Sequence, residues 1–277
     1  MPVVTGCYSL VVSPNSQFVY VLDGKSKFSV ISTSTHTVEA VVDIGFKIDE
    51  RTPISISANG RIIYITTEDE FAVLLTPKAS NIRLFDAQAP YTEARKISLP
   101  NSTPPTFRSA VSADGKYFYA SITEHDLVGN LTTGKIVVYS INLDNLILVK
   151  SITDPLLKAM TGIAVSPDGR TLYAGNVKSN IVCIIDITTG SVAALFIGGG
   201  DVIEQTSLAL SPNGAWLYIG NLKRMDGPPL ALSENRECVV DVIDTLNKKW
   251  TSTVSPSTQT VINPLNVATR PVPIVLL

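Results

Sequence analysis

The sequence predicts an all-β protein, a β-propeller of four-stranded antiparallel blades. Three observations carry that expectation. First, one string recurs: "LVVSPNSQFVYVLD" at 10–23, "ISISANGRIIYITT" at 54–67, "SAVSADGKYFYASI" at 109–122, "IAVSPDGRTLYAGN" at 163–176 and "LALSPNGAWLYIGN" at 208–221. Second, its copies are spaced like blades. Their marker tyrosines, Tyr20, Tyr64, Tyr119, Tyr173 and Tyr218, stand 44, 55, 54 and 45 residues apart, within the period of four-stranded propeller units. Third, no segment sustains the 3.6-residue apolar period that a helical solenoid would need.

Each copy has one physical logic. A short alternating apolar run reads as a strand. A serine, a proline or alanine, an aspartate or asparagine, and a glycine or serine then make the turn. Proline suits the second turn position, Asp or Asn can bond its own backbone, and glycine accepts positive φ. A second strand follows and carries the tyrosine. The third strand is clearest in "IVCIID" at 181–186 and "VVDVID" at 239–244, with counterparts from Phe28, Ile82 and Ile136. A polar turn such as "ITTG" leads to a fourth run, "SVAALFIG". His36, in "TSTHT", falls in that turn at the place of Gly190, so it reads as structural.

The pattern from "SPDG" through "LYAGN" to "IVCIIDITTG" resembles the YVTN-type β-propeller repeat, with "YAGN" at 173–176 and "YIGN" at 218–221 standing where that family has Tyr-Val-Thr-Asn. The resemblance spans nearly the whole chain and is strongest in repeats four and five. Thr67 and Ile122 replace the asparagine in repeats two and three. The resemblance implies kinship in fold with lactone-hydrolysing and quinoprotein propellers. It also implies work outside the cytoplasm.

Five complete repeats are expected, plus a partial sixth at "PLNVATRPVPIVLL", 264–277. Residues 1–277 are read as one propeller domain, either an incomplete ring or part of a longer chain. "PVVTG" at 2–6 resembles the end of a fourth strand, so closure by strand exchange between the termini is the competing expectation.

Composition removes several function classes. The formal net charge is −2, with 17% charged and 45% hydrophobic residues. That leaves no basic field for nucleic acid. No apolar run reaches the ~18 residues of a membrane helix, and no basic residue precedes the first apolar stretch as in a signal peptide. The three cysteines, Cys7, Cys183 and Cys238, have no metal-knuckle spacing and are expected to be buried small side chains. No metal site or cofactor is expected, because two distant histidines offer no zinc spacing and no phosphate loop, dinucleotide fingerprint or nucleophile elbow occurs. "FIGGGDV" at 196–202 reads as a turn between blades.

Function is expected where the repeats differ. Insertions follow Thr67, Ser121 and Asn221 in the loops between strands two and three, and loops on a rigid scaffold are where function tends to sit. Glu124, His125 and Arg108 are the residues a hydrolase would use. His125 lies between two carboxylates, and imidazole titrates near neutrality. Arg51, Asp201, Glu204, Lys223 and Arg224 are the candidates for ligand binding. The expectation is a non-catalytic scaffold for a protein or small ligand. The alternative is a lactonase-like or quinoprotein-like enzyme at the channel mouth.

Overall fold

The computed structural model describes residues 7–23, 26–46, 48, 52–57, 59–68, 80–99, 108–125, 131–142, 145–157, 160–176, 180–197, 201–224, 236–255 and 260–262. They form five antiparallel sheets. Blade 1 is β1 (Cys7–Val12), β2 (Phe18–Asp23), β3 (Lys27–Ser32) and β4 (Val38–Asp43). Blade 2 is β5 (Ile54–Ile56), β6 (Ile62–Glu68), β7 (Ser80–Asp86) and β8 (Glu93–Leu99). Blade 3 is β9 (Ser109–Val111), β10 (Tyr117–His125), β11 (Leu131–Asn142) and β12 (Asn145–Thr153). Blade 4 is β13 (Met160–Val165), β14 (Thr171–Asn176), β15 (Ile181–Asp186) and β16 (Val192–Phe196). Blade 5 is β17 (Asp201–Leu210), β18 (Trp216–Arg224), β19 (Arg236–Asp244) and β20 (Lys249–Ser255), with β21 (Thr260–Ile262) added beside β20. Residues 2–6 and 264–277, read above as strand pieces, lie outside the described residues.

The hairpin turn between the first two strands is the same device five times. In blade 1, Ser13 Oγ donates to Asn15 Oδ1 at 2.7 Å and accepts the Phe18 N–H at 2.9 Å. Ser57, Ser112, Ser166 and Ser211 repeat both bonds with Asn59, Asp114, Asp168 and Asn213. The fourth turn residue, Ser16, Gly60, Gly115, Gly169 or Gly214, has φ between 58° and 70° and donates its N–H to the serine carbonyl. The serine hydroxyl holds the Asp114 and Asp168 carboxyls below their usual range. The second turn behaves as expected: His36 (φ 55°) and Gly190 (φ 79°) occupy one left-handed position, and each N–H bonds the carbonyl four residues back.

The chain divides into two compact units, Met1–Thr153 with blades 1 to 3 and Asp154–Leu277 with blades 4 and 5. Within each unit the first strands of successive blades lie side by side, β1 by β5 by β9 and β13 by β17. The core is the packing of one blade face on the next. Tyr20, Leu22, Phe28 and Val30 of blade 1 meet Ile54, Ile63, Ile65 and Phe85 of blade 2. Tyr64, Ile82 and Leu84 of blade 2 meet Phe118, Ala120 and Val137 of blade 3. Tyr173, Val182 and Ile184 of blade 4 meet Leu217, Ile219 and Ile243 of blade 5.

The marker tyrosine is therefore an interblade residue. Tyr20 Oη donates to the Ala87 carbonyl of the next blade at 2.9 Å. Tyr173 shares a hydrogen bond with Thr245, which holds the corresponding place after strand three of blade 5. The turns interlock as well. A Cβ on Gly214 would lie 2.7 Å from Pro167 Cδ of the preceding blade, so this position requires glycine for space and for φ alike.

Candidate functional site

The insertions were expected to be loops. In blades 3 and 5 they are instead continuations of the central hairpin. Blade 4 sets the basic length: β14 ends at Asn176 and β15 begins at Ile181. In blade 3 the ladder runs past Ile122 through Thr123↔Gly134 and Glu124↔Thr133 to His125↔Leu131. In blade 5 it runs past Asn221 through Leu222↔Cys238 and Lys223↔Glu237 to Arg224↔Arg236. A backbone that leaves the blade can satisfy its N–H and C=O groups by pairing with itself. The insertion after Thr67 lies largely outside the described residues, as does Arg51.

The candidate residues fall into two groups. Arg108, Glu124 and His125 lie at one end of blade 3. Arg108 N–H donates to Ser121 Oγ at 3.0 Å, and Ser121 N–H donates to the Arg108 carbonyl at 2.9 Å. That two-way bond fixes the entering connector beside the root of the extended hairpin. Glu124 is three residues further along β10, about 10 Å of strand, and a bulge separates it from His125. Asp201, Glu204, Lys223 and Arg224 lie at one end of blade 5. Asp201 is opposite Arg224, Val202 opposite Lys223 and Glu204 opposite Leu222. Asp201 and Glu204 were expected in an interblade loop and belong to β17, which is longer than β13 of blade 4 at the same place.

The sequence reading missed a second place where the repeats differ. The third residue before the end of strand three is Ser29, Arg83, Val137, Cys183 and Asp241 in blades 1 to 5. In blade 4 this position ties down the entering connector. Asn176 Nδ2 donates to the Leu156 carbonyl at 2.9 Å and to Cys183 Sγ at 3.4 Å, and Cys183 Sγ donates to the same carbonyl at 3.4 Å. Burial pushes the Cys183 thiol from 9.0 up to about 11, so it is an unreactive packing group. In blade 2 the residue is Arg83. Its Nη1 meets Glu93 Oε1 and Oε2, each at 3.0 Å, and its guanidinium lies 4.2 Å from the centre of the Phe46 ring.

In blade 5 the residue is a carboxylate with no solvent exposure. Asp241 accepts from Asn221 Nδ2 at 2.5 Å, from Trp250 Nε1 at 3.2 Å and from Thr253 Oγ1. Charge-assisted bonds of this kind offset much of the cost of burying the charge. Asn221 therefore turns its amide to its own blade, where Asn176 reaches the connector. Repeat alignment carries the signal for this cluster, because Asp241 falls in register with Cys183, an inward strand position. Burial was expected for the cysteines. It holds for Cys183, while Cys238 is exposed, and both are free thiols.

Among the described residues no group of three or more His, Cys, Asp or Glu side chains could hold a metal ion. No described helix is long and apolar enough to cross a membrane.

No protein-family model matches this chain, and no curated protein matches it. Among solved structures it is similar to the hydrazine synthase of Kuenenia stuttgartiensis, with a TM-score of 0.63 and 18% identity over 92% of this chain and 67% of that one. At that identity the likeness shows fold alone. It agrees with the blades described above: the chain has a β-propeller fold of five four-stranded antiparallel blades.

Proposed function

We propose that this chain is a binding scaffold whose lengthened hairpins, β10–β11 and β18–β19, engage a protein or small ligand. The observation that carries this reading is the contrast with blade 4. The β14–β15 hairpin closes at Asn176 and Ile181, so a blade is complete at that length. The extra pairs ending at His125↔Leu131 and Arg224↔Arg236 add no strand to any blade. A self-paired hairpin loses less conformational entropy on binding than a free loop does, which favours recognition. The blade 5 extension also carries Lys223, Arg224, Arg236 and Glu237, suited to a polar or charged partner.

The test replaces residues 222–238 by the four-residue "VKSN" of blade 4. A photocrosslinker at Lys223 first identifies the partner in an extract of the native cell. The shortened protein is expected to keep its far-ultraviolet spectrum and lose affinity for the purified partner. Turnover of sugar lactones by the intact chain, abolished by Glu124→Ala or His125→Ala, would replace this reading with the enzymatic one.

A further inference from the structure

The marker tyrosine is buried in four blades and exposed in one. Tyr20, Tyr64, Tyr119 and Tyr173 have relative exposures of 2, 2, 1 and 5%, whereas Tyr218 of blade 5 is 40% exposed. Its surroundings follow. Trp216 is 39% exposed, and Val240 and Val242 are half-buried where Val182 and Ile184 of blade 4 are buried.

Blade 1 shows the complementary excess. Leu10 stands three residues before its turn serine, as Ile54 does in blade 2 and Leu208 in blade 5. Ile54 is 7% exposed and packs under blade 1. Leu208 is half-buried under blade 4. Leu10 is 61% exposed, Val12 47% and Tyr8 38%. Contiguous apolar surface of this kind marks an interaction site.

These two faces are the halves of one interface. Within each unit the tyrosine face of a blade seats on the first-hairpin face of the next, in three clusters built from the same repeat positions. A cover for Tyr218 must present that hairpin pattern. Residues 263–277 are fewer than the span Met160–Ile197 that makes one whole blade. Among the described residues the face of that pattern left exposed is Leu10–Val12.

We propose that copies of this chain associate head to tail, the Tyr218 face of blade 5 in one copy seating on the Leu10–Val12 face of blade 1 in the next. The contact is heterologous, so it propagates into a ring or a filament.

Sedimentation of the intact chain over the micromolar range tests it. Mass is expected to rise with concentration beyond one chain. Tyr218→Lys and Leu10→Lys should each weaken association about 30-fold or more, as loss of a central apolar anchor does. Val12→Lys provides a second lesion of the blade 1 face, and circular dichroism confirms that each variant is folded. The deciding experiment mixes Tyr218→Lys with Leu10→Lys. Each then keeps one intact face, and the mixture should form two-chain complexes and nothing larger. A chain that stays single at every concentration overturns the proposal. So does assembly that survives both substitutions, or a mixture that does not pair.

Discussion

Blades 4 and 5 share one unit, one turn chemistry and one tyrosine register, yet they use them differently. Blade 4 is short, its tyrosine is buried, and its inner polar pair, Asn176 and Cys183, is spent on holding a connector. Blade 5 carries a longer hairpin, an exposed tyrosine and a buried carboxylate held by three of its own side chains. The difference separates what a blade needs from what this blade adds. Whatever blade 4 has is sufficient for the fold, so the surplus in blade 5 calls for another explanation.

The largest effect should come from the inner polar position. Asp241→Ala leaves Asn221 Nδ2, Trp250 Nε1 and Thr253 Oγ1 without their acceptor in a buried site. The expected loss is about 3–5 kcal/mol of stability. Cys183→Ala removes one buried sulfur, leaves the Asn176–Leu156 bond in place and should cost about 1–2 kcal/mol. Urea unfolding of both variants measures the gap, and equal losses would break the contrast between the blades.

The turns give the next effect. Gly169 and Gly214 both have φ of +70°. A Cβ on Gly169 meets nothing within 4 Å, whereas one on Gly214 falls 2.7 Å from Pro167 Cδ. Gly169→Ala carries the left-handed penalty alone, about 1 kcal/mol. Gly214→Ala adds a clash with the neighbouring blade and should cost about 2–3 kcal/mol. Thermal unfolding midpoints should fall in that order.

The two thiols sharpen the comparison chemically. Cys238 of blade 5 is exposed, and Cys183 of blade 4 is buried with its thiol pushed up to about 11. Folded protein should label fast at Cys238, and Cys238→Ser should remove one equivalent of fast label. Cys183→Ser should leave the fast phase unchanged. The raised thiol also predicts alkaline lability. Its stabilising contribution is complete below the unfolded value near 9.0 and is lost as pH rises from there to about 11. Cys183→Ala should remove that segment of the pH–stability curve. The separate decline from Tyr119, whose phenol burial raises from 10.0 to about 12, should remain.

The blades were legible because each rests on local chemistry that a sequence displays. Ser-x-Asx-Gly fixes a turn wherever it stands, and five copies fix five hairpins. The extensions were misread for a reason of the same kind. "TEHDLVGNLTTG" and "LKRMDGPPLALSENRE" lack strong alternation, yet their flanks pair because a hairpin already exists below them. The Asp241 cluster was hidden differently. An aspartate in a strand reads as solvent-facing until the repeat alignment sets it beside Cys183. Its partners Trp250 and Thr253 come from β20, a contact set by cross-strand register that no local pattern announces.

The smallest effect isolates the tyrosine hydroxyl. Tyr173 is 5% exposed and bonded to Thr245, whose Oγ1 donates to the Gly214 carbonyl at 2.5 Å. Its hydroxyl thus reaches the turn of the next blade through one side chain. Tyr173→Phe should cost about 1 kcal/mol, the net value of one buried hydrogen bond. Tyr218, 40% exposed, should lose less than about 0.5 kcal/mol on the same change at low protein concentration. The comparison changes at high concentration if the Tyr218 face is covered by a second copy, because binding to the folded state alone raises apparent stability by mass action. The Tyr218→Phe cost should then grow with protein concentration, whereas the Tyr173→Phe cost should not.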